Sequence, residues 1–463
     1  MGELKSMSNR SNSELSPASI VILKVFALLE TESVNYCLTH GYHGLPQSWG
    51  SDIDILVDRS VTREVLAGIL TSHESQIGAT VTCLDGPRIV LTCKTSLGMP
   101  KLIVLDFFYD LWIGRYLHFA GDSLLAGRRQ LRGFWVPSAA AAFEIELAKG
   151  LKKNRCGPDL AFRLTELFAA GSHEIETNMK LRWPRGMASR IISAVQTGKW
   201  DSIAEQSTQM WRRMAISLAV NAPKKTMLAF VHVNRERIFR VMRPRGKHIV
   251  LLGPDGAGKS STIEALIEIT MPLFARAEVR GFAPSLRQLL RRSSGNTSVP
   301  HGLPARSLPA SMIRTLYWSV YAISSHVSLR WAKTRSVLVL NDRHFIDILV
   351  DPVRYRYLGW SWPLKLVSLL TPKPDLLILL GGAPEIIQSR KRELTVAETA
   401  RQCQAYAKLV NPLKYTLTID AAMPFEQVVG EAVAAVIDTF KCQQDSIKSG
   451  CQSPYLSEDG QST

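Results

Sequence analysis

The stretch LLGPDGAGKSST, residues 251–262, constrains this chain more than any other. Gly253, Gly258, Lys259 and Ser260 fit the pattern G-x-x-x-x-G-K-[ST]. The surroundings fit as well: the apolar run IVLL supplies a strand before it, and an amphipathic helix opens after it. Glycine lets backbone N–H groups turn inward toward phosphate oxygens, and a helix N-terminus adds partial positive charge at the same point. The spacing predicts a phosphate cradle of Gly253, Pro254, Asp255, Gly256, Ala257, Gly258, Lys259, Ser260 and Ser261. Lys259 would reach the outer phosphates, and the Ser260 hydroxyl a Mg²⁺ ion.

A cradle of this kind serves kinases, GTPases and motors alike. The base-reading N-K-x-D of GTPases is not found. Instead SVLVLNDRH (336–344) reads as an apolar strand ending in Asp342 and Arg343. Asp342 stands where a carboxylate for Mg²⁺ is needed, and Arg343 could hold the phosphate of an acceptor. After the strand PDLLILL comes SRKRELT (389–395), a basic cluster suited to closing over a transferring phosphoryl group.

With G-P-D-G-A-G-K-S-S, D-R-H, P-D-L-L-I-L-L, P-E-I-I-x-S-R-K-R and T-I-D-A in this order, residues 247–440 resemble the thymidylate kinases. The resemblance implies a P-loop kinase with ATP as substrate and Mg²⁺ as cofactor. It implies that Asp255 contacts the acceptor, Arg343 binds the acceptor's phosphate and Arg390 lies near the adenine. Lys391 and Arg392 would cover the phosphates, so the expected catalytic set is Lys259, Asp342, Arg343, Arg390 and Arg392. Two stretches depart from the family. Arg280-Gly-Phe-Ala-Pro-Ser replaces an E-P-G-G-T-like segment, and FIDILVDPVRYRY (345–357) replaces the thymine pocket. The second stretch resembles thymidylate-kinase-like proteins encoded among bacterial surface-polysaccharide genes. There Asp347, Asp351, Arg354 and Arg356 would sit near the acceptor pocket, or else be solvated charges on an ordinary helix. The resemblance implies a phosphorylated small molecule as acceptor, with nucleotides among the candidates.

Near the N-terminus, GSDIDILV (50–57) sets Asp52 and Asp54 at i and i+2 on one strand face. Two such carboxylates repel unless a cation lies between them, as in a two-metal site. Asp106, in LIVLDFF, projects from a later strand among apolar neighbours, and a buried acid needs a metal or hydrogen bonds. The D-x-D-plus-D scheme resembles the nucleotidyltransferase superfamily, and makes Asp52, Asp54 and Asp106 a second metal set. The superfamily's upstream Gly-Ser is missing; Thr39-His40-Gly41-Tyr42 stands in its place.

A length of 463 residues suits two or three domains. The expectation is α/β throughout: a C-terminal P-loop kinase domain with a parallel sheet flanked by helices (245–441), a small N-terminal nucleotidyltransferase-like domain (17–120), and a basic, mainly helical middle (121–244). Residues 1–16 and 442–463 read as polar tails, and Ser293–Leu308 as a loop. Seven scattered cysteines, none in C-x-x-C, favour reduced thiols, and no stretch reads as a signal peptide or membrane span, so the chain is expected to be cytoplasmic. Of the net charge of +16, most falls between 121 and 250, where 23 Lys and Arg stand against 10 Asp and Glu. That bias suits an anionic membrane or nucleic acid, or else solvated helix faces. A homodimer is kept open. Three functions remain in play: a phosphotransferase at the cradle, a nucleotidyltransferase at the three acids with the P-loop regulatory, and a nucleotide-binding scaffold in surface-polysaccharide assembly.

Overall fold

A computed structural model describes residues 15–83, 88–242, 244–281, 307–391 and 394–445. These fall into two compact units. The first holds the described residues up to Arg237 apart from 97–100, and the second holds 97–100 and those from Ile238 onward.

The first unit opens with helix α1 (Pro17–Thr31), started by Pro17 and capped by Ser16, whose hydroxyl accepts from the Ser19 amide at 3.1 Å. Its apolar side buries Val21, Ile22, Val25, Phe26 and Leu29 against a five-stranded sheet. The sheet order is β1-β2-β5-β4-β3, made of Tyr36–Leu38, Ile53–Val57, Pro100–Phe108, Arg88–Lys94 and Thr80–Cys83 respectively. Period-two alternation sorts β2: Ile53, Ile55 and Val57 join the α1 cluster, while Leu56 packs on the other face with Cys37 and Ile145. β1 runs antiparallel to β2, whereas β2 and β5 are parallel. Helices α2 (Arg63–Ser72) and α3 (Glu74–Ile77) lie between β2 and β3. The Thr62 hydroxyl caps α2 by accepting from the Val65 amide at 3.4 Å, so the helix starts at Arg63.

The stretch 121–138 is not the start of a helical run. After a hairpin of β6 (Leu111–Ile113) and β7 (Tyr116–Phe119), it makes the short helix α4 (Gly121–Ala126) and a second hairpin of β8 (Arg129–Leu131) and β9 (Phe134–Val136), whose Phe134 and Val136 enter the α1 cluster. The long helices follow: α5 (Ala139–Lys153), α6 (Pro158–Arg182), α7 (Met187–Thr197), α8 (Asp201–Asn221) and α9 (Pro223–Met242). α5 to α8 share a second apolar cluster around Phe143, Leu164, Ile191 and Met210.

The second unit is a parallel sheet flanked by helices. Its order is β11-β12-β10-β13-β14, with β10 (Lys247–Leu252) in the centre. The others are Arg276–Arg280, Val337–Asn341, Leu376–Gly381 and Thr416–Asp420 for β11 to β14. β10 is buried along its whole length, and Val337–Leu340 of β12 likewise, as strands covered on both faces must be. The helices are α10 (Lys259–Thr270), α11 (Leu308–Thr334), α12 (Phe345–Val350), α13 (Ser361–Leu370), α14 (Pro384–Arg390), α15 (Val396–Val410) and α16 (Phe425–Asp445). The sequence reading has no helix corresponding to α11, and the loop expected over Ser293–Leu308 lies outside the described residues but for its last two positions, of which Leu308 begins that helix. Ligands of open parallel sheets sit beyond the carboxyl ends of the strands, which is where the loop 253–258 leaves β10.

Candidate functional sites

In the second unit the cradle is held by steric pressure from two neighbours. Gly253, Gly256 and Gly258 have φ of 144°, 92° and 89°. A Cβ on Gly253 would come 2.4 Å from the Leu380 carbonyl oxygen, and one on Gly256 2.6 Å from that of Ile387. The loop is thus wedged between the end of β13 and the end of α14, where only glycine fits. Lys259, the first residue of α10, is buried and donates to the Gly253 and Pro254 carbonyls at 2.7 and 2.9 Å. In this position its ammonium folds back over the loop. Burial lowers its pKa, opposed by the nearby carboxylates of Asp255, Asp347 and Asp342.

Asp255 gathers three cations. Its carboxylate accepts from Arg343 Nη2 at 3.2 Å and from Arg354 Nη1 at 2.5 Å, and Lys259 Nζ lies 3.7 Å away. Burial alone would raise its pKa; Arg343, Arg354 and Lys259 together outweigh burial and hold it below the usual carboxylate range. Arg343 follows β12 directly, so the strand end delivers it to the loop. Arg354 arrives from the turn after α12, where Asp351 Oδ1 accepts its amide at 3.1 Å. Asp351 is held in turn by Gln402 Nε2 at 3.2 Å. Asp347, weighed as an acceptor contact, is instead buried structure. It accepts from the His344 amide and from the Tyr406 hydroxyl, each at 2.6 Å, and completes the cap of α12.

Asp342 Oδ1 is buried without a hydrogen-bond partner. An orphaned carboxylate oxygen of this kind fits a cation, so Mg²⁺ would be held by Asp342 with the Ser260 hydroxyl at the start of α10. Arg390 is exposed at the end of α14 and donates to the Ala421 carbonyl at 2.8 Å. The Lys391 Cβ lies 3.1 Å from where a Cβ on Gly256 would stand, so this basic segment begins against the cradle. Arg392 lies outside the described residues.

Beside Arg343 opens a small, partly open pocket of about 50 Å³, bordered by Arg280, Asn341, Trp318, Tyr321 and Phe345. Two histidines also line it, and sequence reasoning singled out neither for this role. His248 Nε2 meets Asn341 Oδ1 at 3.0 Å, leaving Nδ1 buried without a partner. His344 Nδ1 accepts from the Ile346 amide at 3.4 Å, leaving Nε2 buried without a partner. Burial pushes His248 down to about 4 and His344 down to about 3, so both are neutral at pH 7.

In the first unit, Asp54 on β2 and Asp106 on β5 are direct partners in the parallel register. With Asp52 they bring ligand atoms within 4.8 Å of one another. Burial pushes Asp54 up to about 6 despite the Lys149 ammonium, and burial with the Asp54 charge pushes Asp106 up to about 6 against Arg88. Such a concentration of half-covered acids fits a divalent cation. His40, in the loop after β1, stands beside these acids. Its Nε2 lies 2.9 Å from Asp54 Oδ2, and its Nδ1 lies 2.6 Å from Lys149 Nζ. Lys149 itself is 3.9 Å from Asp54, and Arg88 Nε 3.7 Å from Asp106. Burial pushes Lys149 down to about 8, opposed by Asp54. Two cations therefore face three carboxylates before any metal arrives.

Compared with known proteins, the chain matches no protein-family model and no curated protein. Among solved structures it is similar to the thymidylate kinase of Candida albicans, at 17% identity and a TM-score of 0.32, over 42% of this chain and 93% of that one.

Proposed function

We propose that the second unit is an ATP-dependent phosphotransferase acting on a phosphorylated acceptor. The observation that supports this best is the convergence of Lys259, Arg343 and Arg354, from three separate elements, on one point in front of the cradle. Cations gathered beside a glycine-rich loop at a helix N-terminus are what in-line phosphoryl transfer asks of a protein, since positioning and charge neutralisation supply most of the rate. The cradle backbone would hold the β- and γ-phosphates, and Arg343 the acceptor's phosphate. An acceptor oxygen then attacks the γ-phosphorus as its bond to the β–γ bridging oxygen breaks, leaving ADP. Lys259 would leave the Gly253 and Pro254 carbonyls to follow the departing charge, and Asp255 would keep Arg343 and Arg354 aimed. Mg²⁺ at Asp342 and Ser260 would neutralise phosphate charge when bound. Trp318 and Phe345, at the mouth of the small pocket beside Arg343, would contact the acceptor.

A screen of nucleoside monophosphates and sugar phosphates against γ-labelled ATP tests the reading. Labelled product from at least one acceptor, lost in Lys259→Ala, is the expected result; a chain that neither binds nor turns over ATP would end it.

The register of Asp54 against Asp106 favours a second reading for the first unit, nucleotidyl transfer at Asp52, Asp54 and Asp106. Label passing from α-labelled ATP to an acceptor, and stopping in Asp54→Ala, would assign it there.

A further inference from the structure

Helix α11 is apolar on two opposite sides. One side buries Ser311, Trp318, Ala322, Leu329 and Ala332 within the second unit. The other presents Ile313, Leu316, Val320, Ile323, Val327 and Trp331, each between 56% and 75% exposed. The steps of three, four, three, four and four keep these six on one continuous outer stripe. α13 packs beside α11 through Trp318, Ala322, Leu364 and Val367, and the His326 ring meets the Leu370 carbonyl at 2.9 Å. α13 repeats the pattern, with Trp362, Leu366 and Leu369 at i, i+4 and i+7 exposed by 61%, 52% and 82%. A soluble helix hides one apolar stripe; a second, outward stripe calls for an apolar surface to meet it.

Charge decides what that surface is. Neither α11 nor α13 contains an Asp or Glu. Their exposed cations and those just past their ends are Arg330, Arg335, Lys365 and Lys373. A second copy docked here would set these cations against their own kind with no acid in either helix to pair them. An anionic bilayer offers both what the stripe lacks and what the cations need: acyl chains below and phosphates at headgroup level. Trp331 and Trp362 are residues suited to that boundary. Among the described residues no helix is long and apolar enough to cross a membrane, so the contact would be flat.

We propose that the outer faces of α11 and α13 dock this unit on the surface of an anionic lipid bilayer, the helices lying in the headgroup plane. The test is flotation of the full chain with vesicles of phosphatidylcholine alone or with about one-third phosphatidylglycerol. Binding to the phosphatidylglycerol vesicles is expected, weakened by salt, and reduced at least about tenfold by Val327→Glu with Leu369→Glu. Both positions are exposed, so the variant should keep the native hydrogen-exchange pattern in β10 and β13. Failure to float would overturn the proposal. So would binding that survives the double variant and disappears instead with Arg212→Glu and Arg213→Glu in the basic middle of the chain. A dimer in solution that the double variant splits into monomers would assign the face to a second copy and overturn it equally.

Discussion

Asp255 in the second unit and Asp54 in the first are both largely covered carboxylates, yet their acidities move in opposite directions. Burial acts on each to raise the pKa. At Asp255 it loses to Arg343, Arg354 and Lys259, whose charges reach the carboxylate from three elements. At Asp54 it wins: Lys149, and behind it Arg88 and Lys153, pull the other way, but the Asp52 charge adds to burial. The comparison teaches that the same side chain organises two kinds of site. Asp255 belongs to a cationic assembly complete within the protein and ready for an anion. Asp54 belongs to an anionic one that gains a great deal from a cation.

The contrast can be broken at several points. Lys259→Ala should have the largest effect, lowering ATP turnover at least about a hundredfold while leaving divalent-ion binding by the first unit unchanged. Equal loss of both would mean that the sites are not separate. Arg343→Lys should come next, raising the acceptor KM about tenfold, since a single ammonium cannot reproduce the guanidinium fork that would hold Asp255 and the proposed acceptor phosphate together. An unchanged KM would remove Arg343 from acceptor binding. Asp54→Asn should act in reverse to most polar losses. Without added metal it should stabilise the first unit by on the order of 1–2 kcal/mol near pH 7, and it should abolish any rise in melting temperature with Mn²⁺.

A pH titration sharpens the comparison on the second unit's side. His248 has its folded pKa lowered to about 4, below the ordinary value near 6.5. A lowered histidine contributes stability that is whole above pH about 6.5 and is lost as pH falls toward the folded value. Amide exchange in β10 should therefore report a loss of a few kcal/mol between pH about 6.5 and 4, reduced in His248→Gln. A flat profile over that window would show that the ring is not buried neutral.

How much of this is readable from residues depends on the distance over which each feature is encoded. The cradle is legible because strand, glycines, lysine and helix start are contiguous, and Arg343 because it ends a strand. Asp52 and Asp54 declare a shared face by their spacing alone. Lys149 does not declare itself: it sits in AAAAFEIELAKGLKK, which reads as about four turns of a packed helix, and meets Asp54 only through tertiary folding. Arg354 looks like any charge in a turn until Asp255 is placed opposite it. The neutral state of His248 is invisible for the same reason, since burial comes from neighbours more than 90 positions away, such as Asn341. α11 escaped for a different cause. Apolar residues on two opposite sides blur the single-face period by which a helix is recognised.

The pairing of Asp54 with Asp106 also bears on how the first unit avoids misassembly. Sliding β2 past β5 by one residue would turn Asp54 toward Phe26 and Tyr36, and would carry Ile53 and Ile55 out of their cluster. A charged side chain among those rings is costly enough to make the slipped sheet a poor competitor. The acids thus proofread the alignment of the two strands during folding, whatever ion they later attract.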